Sequence, residues 1–104
     1  MEHKDIYDLL KNINVPVAYG QFDTSLNVSP PFIVYREIRP ENFKADNKVY
    51  FKQNAFEIEL VTIKKDVILQ KSIEDLLTNN NIPYEMTDEL WDKEEKIYHN
   101  FYEI

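Results

Sequence analysis

Polar and apolar positions alternate in two different rhythms along this chain, and one composite pattern occurs twice. Ile6-Tyr7-Asp8-Leu9-Leu10-Lys11-Asn12-Ile13-Asn14-Val15-Pro16 and Ile73-Glu74-Asp75-Leu76-Leu77-Thr78-Asn79-Asn80-Asn81-Ile82-Pro83 both follow I-x-D-L-L-x-N-x-N-[V/I]-P. Apolar residues at i, i+3 and i+4 mark one face of a helix. Asn then ends the helix in a left-handed conformation. Pro forbids further helix and holds the residue before it extended. Each stretch therefore predicts a helix, a stop and a strand start. The flanking residues do not match, so the likeness describes a local hand-off and not a duplication.

The first unit predicts a helix over residues 3–13, with Ile6, Leu9, Leu10 and Ile13 buried and Lys4, Asp8, Lys11 and Asn12 wet. Val15, Val17 and Tyr19 alternate with Pro16, Ala18 and Gly20, a short strand whose Pro puts it at a strand start or a sheet edge. Residues 20–31 carry turn and breaker types and predict a loop. Phe32-Ile33-Val34-Tyr35 opens a second strand that runs to about Ile38. Residues 40–54 mix turn residues with Val49-Tyr50-Phe51 and predict a protruding hairpin or bent ribbon. Ala55 to Ile63 has the clearest strand rhythm: Phe56, Ile58 and Leu60 on one side, Glu57 and Glu59 on the other. Asp66 is the expected N-cap of a second helix with Leu69, Ile73, Leu76 and Leu77 inward. A strand follows from Pro83, with Tyr84 and Met86 on one side.

Residues 87–95 read as strand or as helix. Tyr98-His99-Asn100-Phe101-Tyr102 favours strand over helix, so 96–103 is the expected last strand and Asp92–Glu95 the turn before it. The sum is one α+β domain over residues 1–104. Its expected order is α-β-β-β-α-β-β, a mainly antiparallel sheet with two helices on one face.

Composition narrows the function. The 104 residues include seven Tyr, six Phe and one Trp, too many aromatics for a disordered chain. The net charge is −7, where a dedicated nucleic-acid binder shows a basic face. There is no cysteine, which excludes disulfides, Cys-based zinc sites and thiol catalysis. The polar start and the lack of a long apolar run predict no signal peptide and no membrane helix, so a cytoplasmic protein is expected and the Asn27-Val28-Ser29 sequon is idle.

Chemistry-bearing patterns are few. A single glycine, Gly20, excludes Walker and Rossmann phosphate loops. His3 and His99 share no metal-ligand spacing, and neither Ser25, Ser29 nor Ser72 sits in a nucleophile motif. Glu85, Asp88, Glu89, Asp92, Glu94 and Glu95 offer oxygen ligands without the spacing of a known cation loop, and read as a solvated acidic edge that guards an exposed strand. No catalytic, cofactor or metal residue is expected. Trp91, inside this acidic stretch, is either core filler or a subunit-interface anchor. Lys44, Lys48 and Lys52, interleaved with Tyr50 and Phe51, form the one locally basic region.

Several strings together resemble a known family. They are Asp46-Asn47-Lys48-Val49-Tyr50, Phe56-Glu57-Ile58-Glu59-Leu60 with Lys64-Lys65-Asp66, Ile82-Pro83-Tyr84-Glu85, and the Tyr98-to-Ile104 ending. The Leu9-Leu10 helix, Val15-Pro16-Val17-Ala18-Tyr19 and Pro31-Phe32-Ile33-Val34-Tyr35 fit as well. The chain resembles the tail-completion or tail-terminator-like, head–tail joining proteins of phages and prophages of low-GC Gram-positive bacteria. That resemblance implies a non-enzymatic structural subunit forming a ring, possibly a hexamer, between head connector and tail tube. Its expected partners are copies of itself, head-completion proteins and the major tail tube protein. It implies a place in the host cytoplasm during assembly and in the virion neck afterwards.

Under this reading Lys44, Lys48, Tyr50, Phe51, Lys52 and Trp91 are the candidate subunit contacts. Glu57, Glu59, Asp88, Glu89 and Asp92 are candidates for a lumen that DNA passes without specific binding. The alternative is a small cytoplasmic protein-binding or regulatory module.

Overall fold

The computed structural model describes residues 2–23, 27–38 and 55–104. The expected ribbon at 40–54 lies outside these residues, as do the candidate contacts Lys44, Lys48, Tyr50, Phe51 and Lys52.

The elements in chain order are α1 (His3–Leu10), a single 3₁₀ turn (Lys11–Ile13), β1 (Val17–Tyr19), β2 (Phe32–Ile38), β3 (Ala55–Thr62), α2 (Val67–Asn79), β4 (Glu85–Asp92) and β5 (Ile97–Glu103). The fold is α+β. It differs in detail from the expected order: the helix expected over 3–13 is a shorter α-helix plus the 3₁₀ turn. Among the described residues, five strands form one sheet in the order β1-β2-β3-β5-β4. Its β1–β2 pair is parallel and the other three pairs are antiparallel.

The two repeated units fold alike. Ile6 and Ile73, and Leu10 and Leu77, are fully buried in the same cluster. Asn14 and Asn81 take positive φ of 70° and 58°, the left-handed stop that the pattern predicts. Each unit then delivers the chain into a strand at an edge of the sheet, β1 on one side and β4 on the other. At α2, Asp66 accepts a hydrogen bond from the Leu69 amide at 3.0 Å, as an N-cap does.

The core lies between the helices and one face of the sheet. Ile6, Leu10, Ile73 and Leu77 from the helices meet Ile33, Tyr35, Phe56, Ile58, Leu60 and Tyr102 from the strands. Helix α2 also buries a polar side chain that the apolar stripe does not anticipate. Gln70 is 6% exposed, and its amide donates to Asn100 Oδ1 at 3.0 Å. A buried amide without a partner is costly, so the pair is mutually required.

The opposite face carries Phe32, Val34 and Arg36, with Val61, Glu59 and Glu57 directly across on β3, and His99, Phe101 and Glu103 beyond them on β5. Parallel neighbours cannot be joined by a tight turn. The described parts of the β1–β2 connection, residues 20–23 and 27–31, lie against this face, where the Phe22 ring meets Phe32 edge-on at 5.2 Å. Gly20, with φ +78°, starts the connection. This cover explains why Val34 is buried although it points away from the helices.

The stretch 87–95, open to two readings in the sequence, is strand up to Asp92. Asp92 then accepts from the Glu94 and Glu95 amides at 3.0 and 3.1 Å and turns the chain over residues 93–96 into β5.

Candidate functional site

Two surfaces gather charged and aromatic side chains. The first is the sheet face under the β1–β2 connection. Register places Arg36 opposite Glu57 and two residue pairs away from Glu59, on the same face. The guanidinium donates to Glu57 Oε1 at 2.5 Å and to Glu59 Oε1 at 3.0 Å. The other oxygen of Glu59 lies 2.6 Å from His99 Nδ1. The His99 ring stacks on Phe101, 12° from parallel. Partial burial works against the Arg36 charge, but the hydrogen bonds to Glu59 and Glu57 outweigh it and hold its pKa above the ordinary value.

A cleft of about 590 Å³ opens beside this network, walled by Gln21, Phe22, Asn27 and Phe32 and reaching Glu95 of the β4–β5 turn. Chemically the network is a set of cross-strand ion pairs. It ties β2, β3 and β5 together on a face that is only partly covered. The carboxylate that orients His99 is shared with a permanent cation, so it serves register before it serves proton transfer. Among the described residues, no group of three or more His, Asp or Glu is placed to hold a metal ion.

The second surface is β4. Helix α2 shields β5 but stops short of β4, so Glu85 through Trp91 are exposed on both sides of the sheet. A β-bulge between Met86 and Asp88 sets its phase. Asp88, Leu90 and Asp92 pair with Phe101, His99 and Ile97 and share the face opposite the helices. Glu89 and Trp91 pair with Asn100 and Tyr98 and share the helix side. On that side Lys65 donates to Glu89 at 2.6 Å, and Asn100 donates to the same oxygen at 3.2 Å. The hydrogen bond from Lys65 is the largest cause holding the Glu89 pKa below the usual carboxylate range, and the same bond raises that of Lys65. Trp91 is 49% exposed with its ring 6.2 Å from that of Tyr98. Of its two readings, core filler does not describe this position.

The expected acidic lumen residues do not form one surface in the subunit. Glu57 and Glu59 are half-buried and ion-paired to Arg36. Glu89 faces the helix side against Lys65. Asp88 and Asp92 stand on the other face, Asp88 accepting from the Glu89 amide and Asp92 committed in part to the turn. Sequence reasoning did not single out Arg36, and it read the partners Glu57 and Glu59 as lumen acids instead of ion-pair members. The available signal was an arginine inside a β-rich run, with the Glu57/Glu59 alternation supplying carboxylates at matching spacing. No protein-family model matches the chain, and no curated protein is similar to it.

Proposed function

We propose that this chain is a structural subunit of a tailed phage or prophage, a tail terminator or head–tail joining protein that forms a ring between head connector and tail tube. One observation supports this above the others. β4 is eight residues long, sits at a sheet edge among the described residues and is exposed on both faces. A strand left open at that length is a template for another chain, which soluble proteins ordinarily blunt or cover. An assembly subunit needs such a surface because its partner arrives later. Its acidic residues keep it from self-pairing in the meantime, and the net charge of −7 suits a neck through which DNA passes without adhering.

The test is deletion of the gene in the phage or prophage that carries it. Electron microscopy of the induced lysate should show filled heads and separate tails of irregular length, restored by expression in trans. Joined virions with tails of normal length would overturn the proposal.

A further inference from the structure

Among the described residues, the three most exposed large apolar side chains fall at one corner. Ile63, Val67 and Ile68 are 63%, 61% and 80% exposed, at the end of β3 and the first turn of α2. The buried residues of α2 are Gln70, Ile73 and Leu77, so the fold leaves Val67 and Ile68 unused. Exposed apolar side chains clustered in this way mark a contact with another body. The charge of the corner is opposite to that of the chain. Residues 63–71 carry Lys64, Lys65 and Lys71 against Asp66 alone, in a protein of net charge −7. Asp66 is committed to the helix cap and Lys65 to Glu89. Lys64 and Lys71 remain at the exposed surface, Lys71 beside Asp75 of its own helix.

The edge strand β4 is the complement of this corner. It holds four acids and no base. Only Glu89 of these acids has an ion pair among the described residues. Leu90 and Trp91 stand half-exposed between Asp88 and Asp92. We propose that the corner at residues 63–71 of one copy of this chain seats on the open edge of β4 of a second copy. Val67 and Ile68 cover Leu90 and Trp91, and Lys64 and Lys71 meet Asp88 and Asp92. The inference rests on the assembly reading above and names its joint.

One copy cannot close this contact on itself. Its corner lies on the helix side, where Lys65 holds Glu89, while Asp88, Leu90 and Asp92 face the other way. The contact joins unlike patches of two copies, so it runs head to tail and makes a ring where the rotation closes. Like-with-like contacts are weaker on charge grounds. Pairing β4 with β4 sets acid against acid, and pairing corner with corner sets lysine against lysine. The other open edge, β1, offers Val17, Ala18 and Tyr19 and no acid to match the lysines. In this arrangement Asp88 and Asp92 belong to the subunit joint and not to the DNA channel.

The absence of cysteine gives a clean test. Ile68→Cys and Leu90→Cys chains, mixed at high concentration and treated with a short bismaleimide cross-linker, should give a covalent dimer in far higher yield than either chain alone. A single chain carrying both substitutions should give a ladder of multimers. Charge reversal is the second arm. K64E/K71E and D88K/D92K chains should each associate about tenfold or more weakly than wild type in sedimentation, the scale on which like charges disrupt interfaces. Mixing the two should restore association, because each reversed patch then meets its complement. Circular dichroism checks that each variant is folded, and the cross-linking arm needs no charge change. No cross-link, a double-cysteine chain that stops at a dimer or closes on itself, reversal without effect, or no rescue on mixing would each overturn the inference. The two proposals fail separately. Rings seen by electron microscopy without this cross-link refute the joint alone. A cross-linking chain whose deletion leaves virions normal refutes the phage role alone.

Discussion

Arg36 is the side chain that ties together the partly covered face of the sheet. It answers two carboxylates at once, and its own side chain is 32% exposed against 28% and 14% for Glu57 and Glu59. Arg36→Met keeps the packing stem and removes the charge. Two half-buried carboxylates then lose their cation, and the expected loss is about 1–2 kcal/mol after allowance for solvent screening. A fall in the urea midpoint with an unchanged m-value is the expected readout; no change would mean the pairs are idle. Glu59→Gln should cost less, because the amide oxygen still accepts from Arg36 and the amide nitrogen can donate to an unprotonated His99 Nδ1.

The Lys65–Glu89 bond predicts a pH dependence with a definite sign. Glu89 is held lower in the folded chain than in the unfolded one. Its contribution is therefore present above the ordinary glutamate pKa, about 4.3, and is lost as pH falls through the lower folded value. Lys65→Met should separate from wild type in urea midpoint at neutral pH, and the two curves should converge in acid. A gap that persists at the lowest pH would assign the effect to packing.

At the scale of elements, the two helix stops carry the prediction. Asn14 and Asn81 hold positive φ, which costs a residue with a Cβ roughly 1 kcal/mol or more and costs Gly little. Asn14→Gly and Asn81→Gly should leave thermal stability unchanged or raised. Asn14→Val and Asn81→Val should each lower it by about 1–2 kcal/mol, since β-branching aggravates the strain. Equal effects of Gly and Val would show that backbone freedom does not decide these two positions.

These stops are legible in the sequence because helix punctuation is local: Asn and Pro act on their own backbone. The same holds for the Asp66 cap and for the Phe56-Ile58-Leu60 rhythm of β3. What the sequence hides is non-local. The Arg36 network exists only because register sets β2, β3 and β5 side by side, and Gln70 is an inward residue only because Asn100 waits beneath α2. β4 is ambiguous for another reason. A strand covered on neither face has no buried side to impose alternation, and its bulge shifts the phase midway.

At the scale of the molecule, the sheet formed by the described residues is buried at its centre and exposed at its rims. Buried residues concentrate on β2, β3 and β5, while the edge strands β1 and β4 have none. Stability and function can therefore be separated by mutation, and Trp91 is the position that shows it. Half of its surface already faces water, so Trp91→Ser should cost the isolated subunit less than about 1 kcal/mol, as surface substitutions do. If β4 is where copies join, the same ring becomes buried in the assembly, and aromatic residues at the centre of an interface commonly contribute about 2 kcal/mol or more. Thermal melts of dilute protein should then barely move, while sedimentation of concentrated protein should show association weakened by more than about tenfold. A variant that melts much lower would place Trp91 in the fold instead of the joint. One that associates like wild type would leave β4 an edge that the protein merely tolerates, its acids serving only to repel other strands.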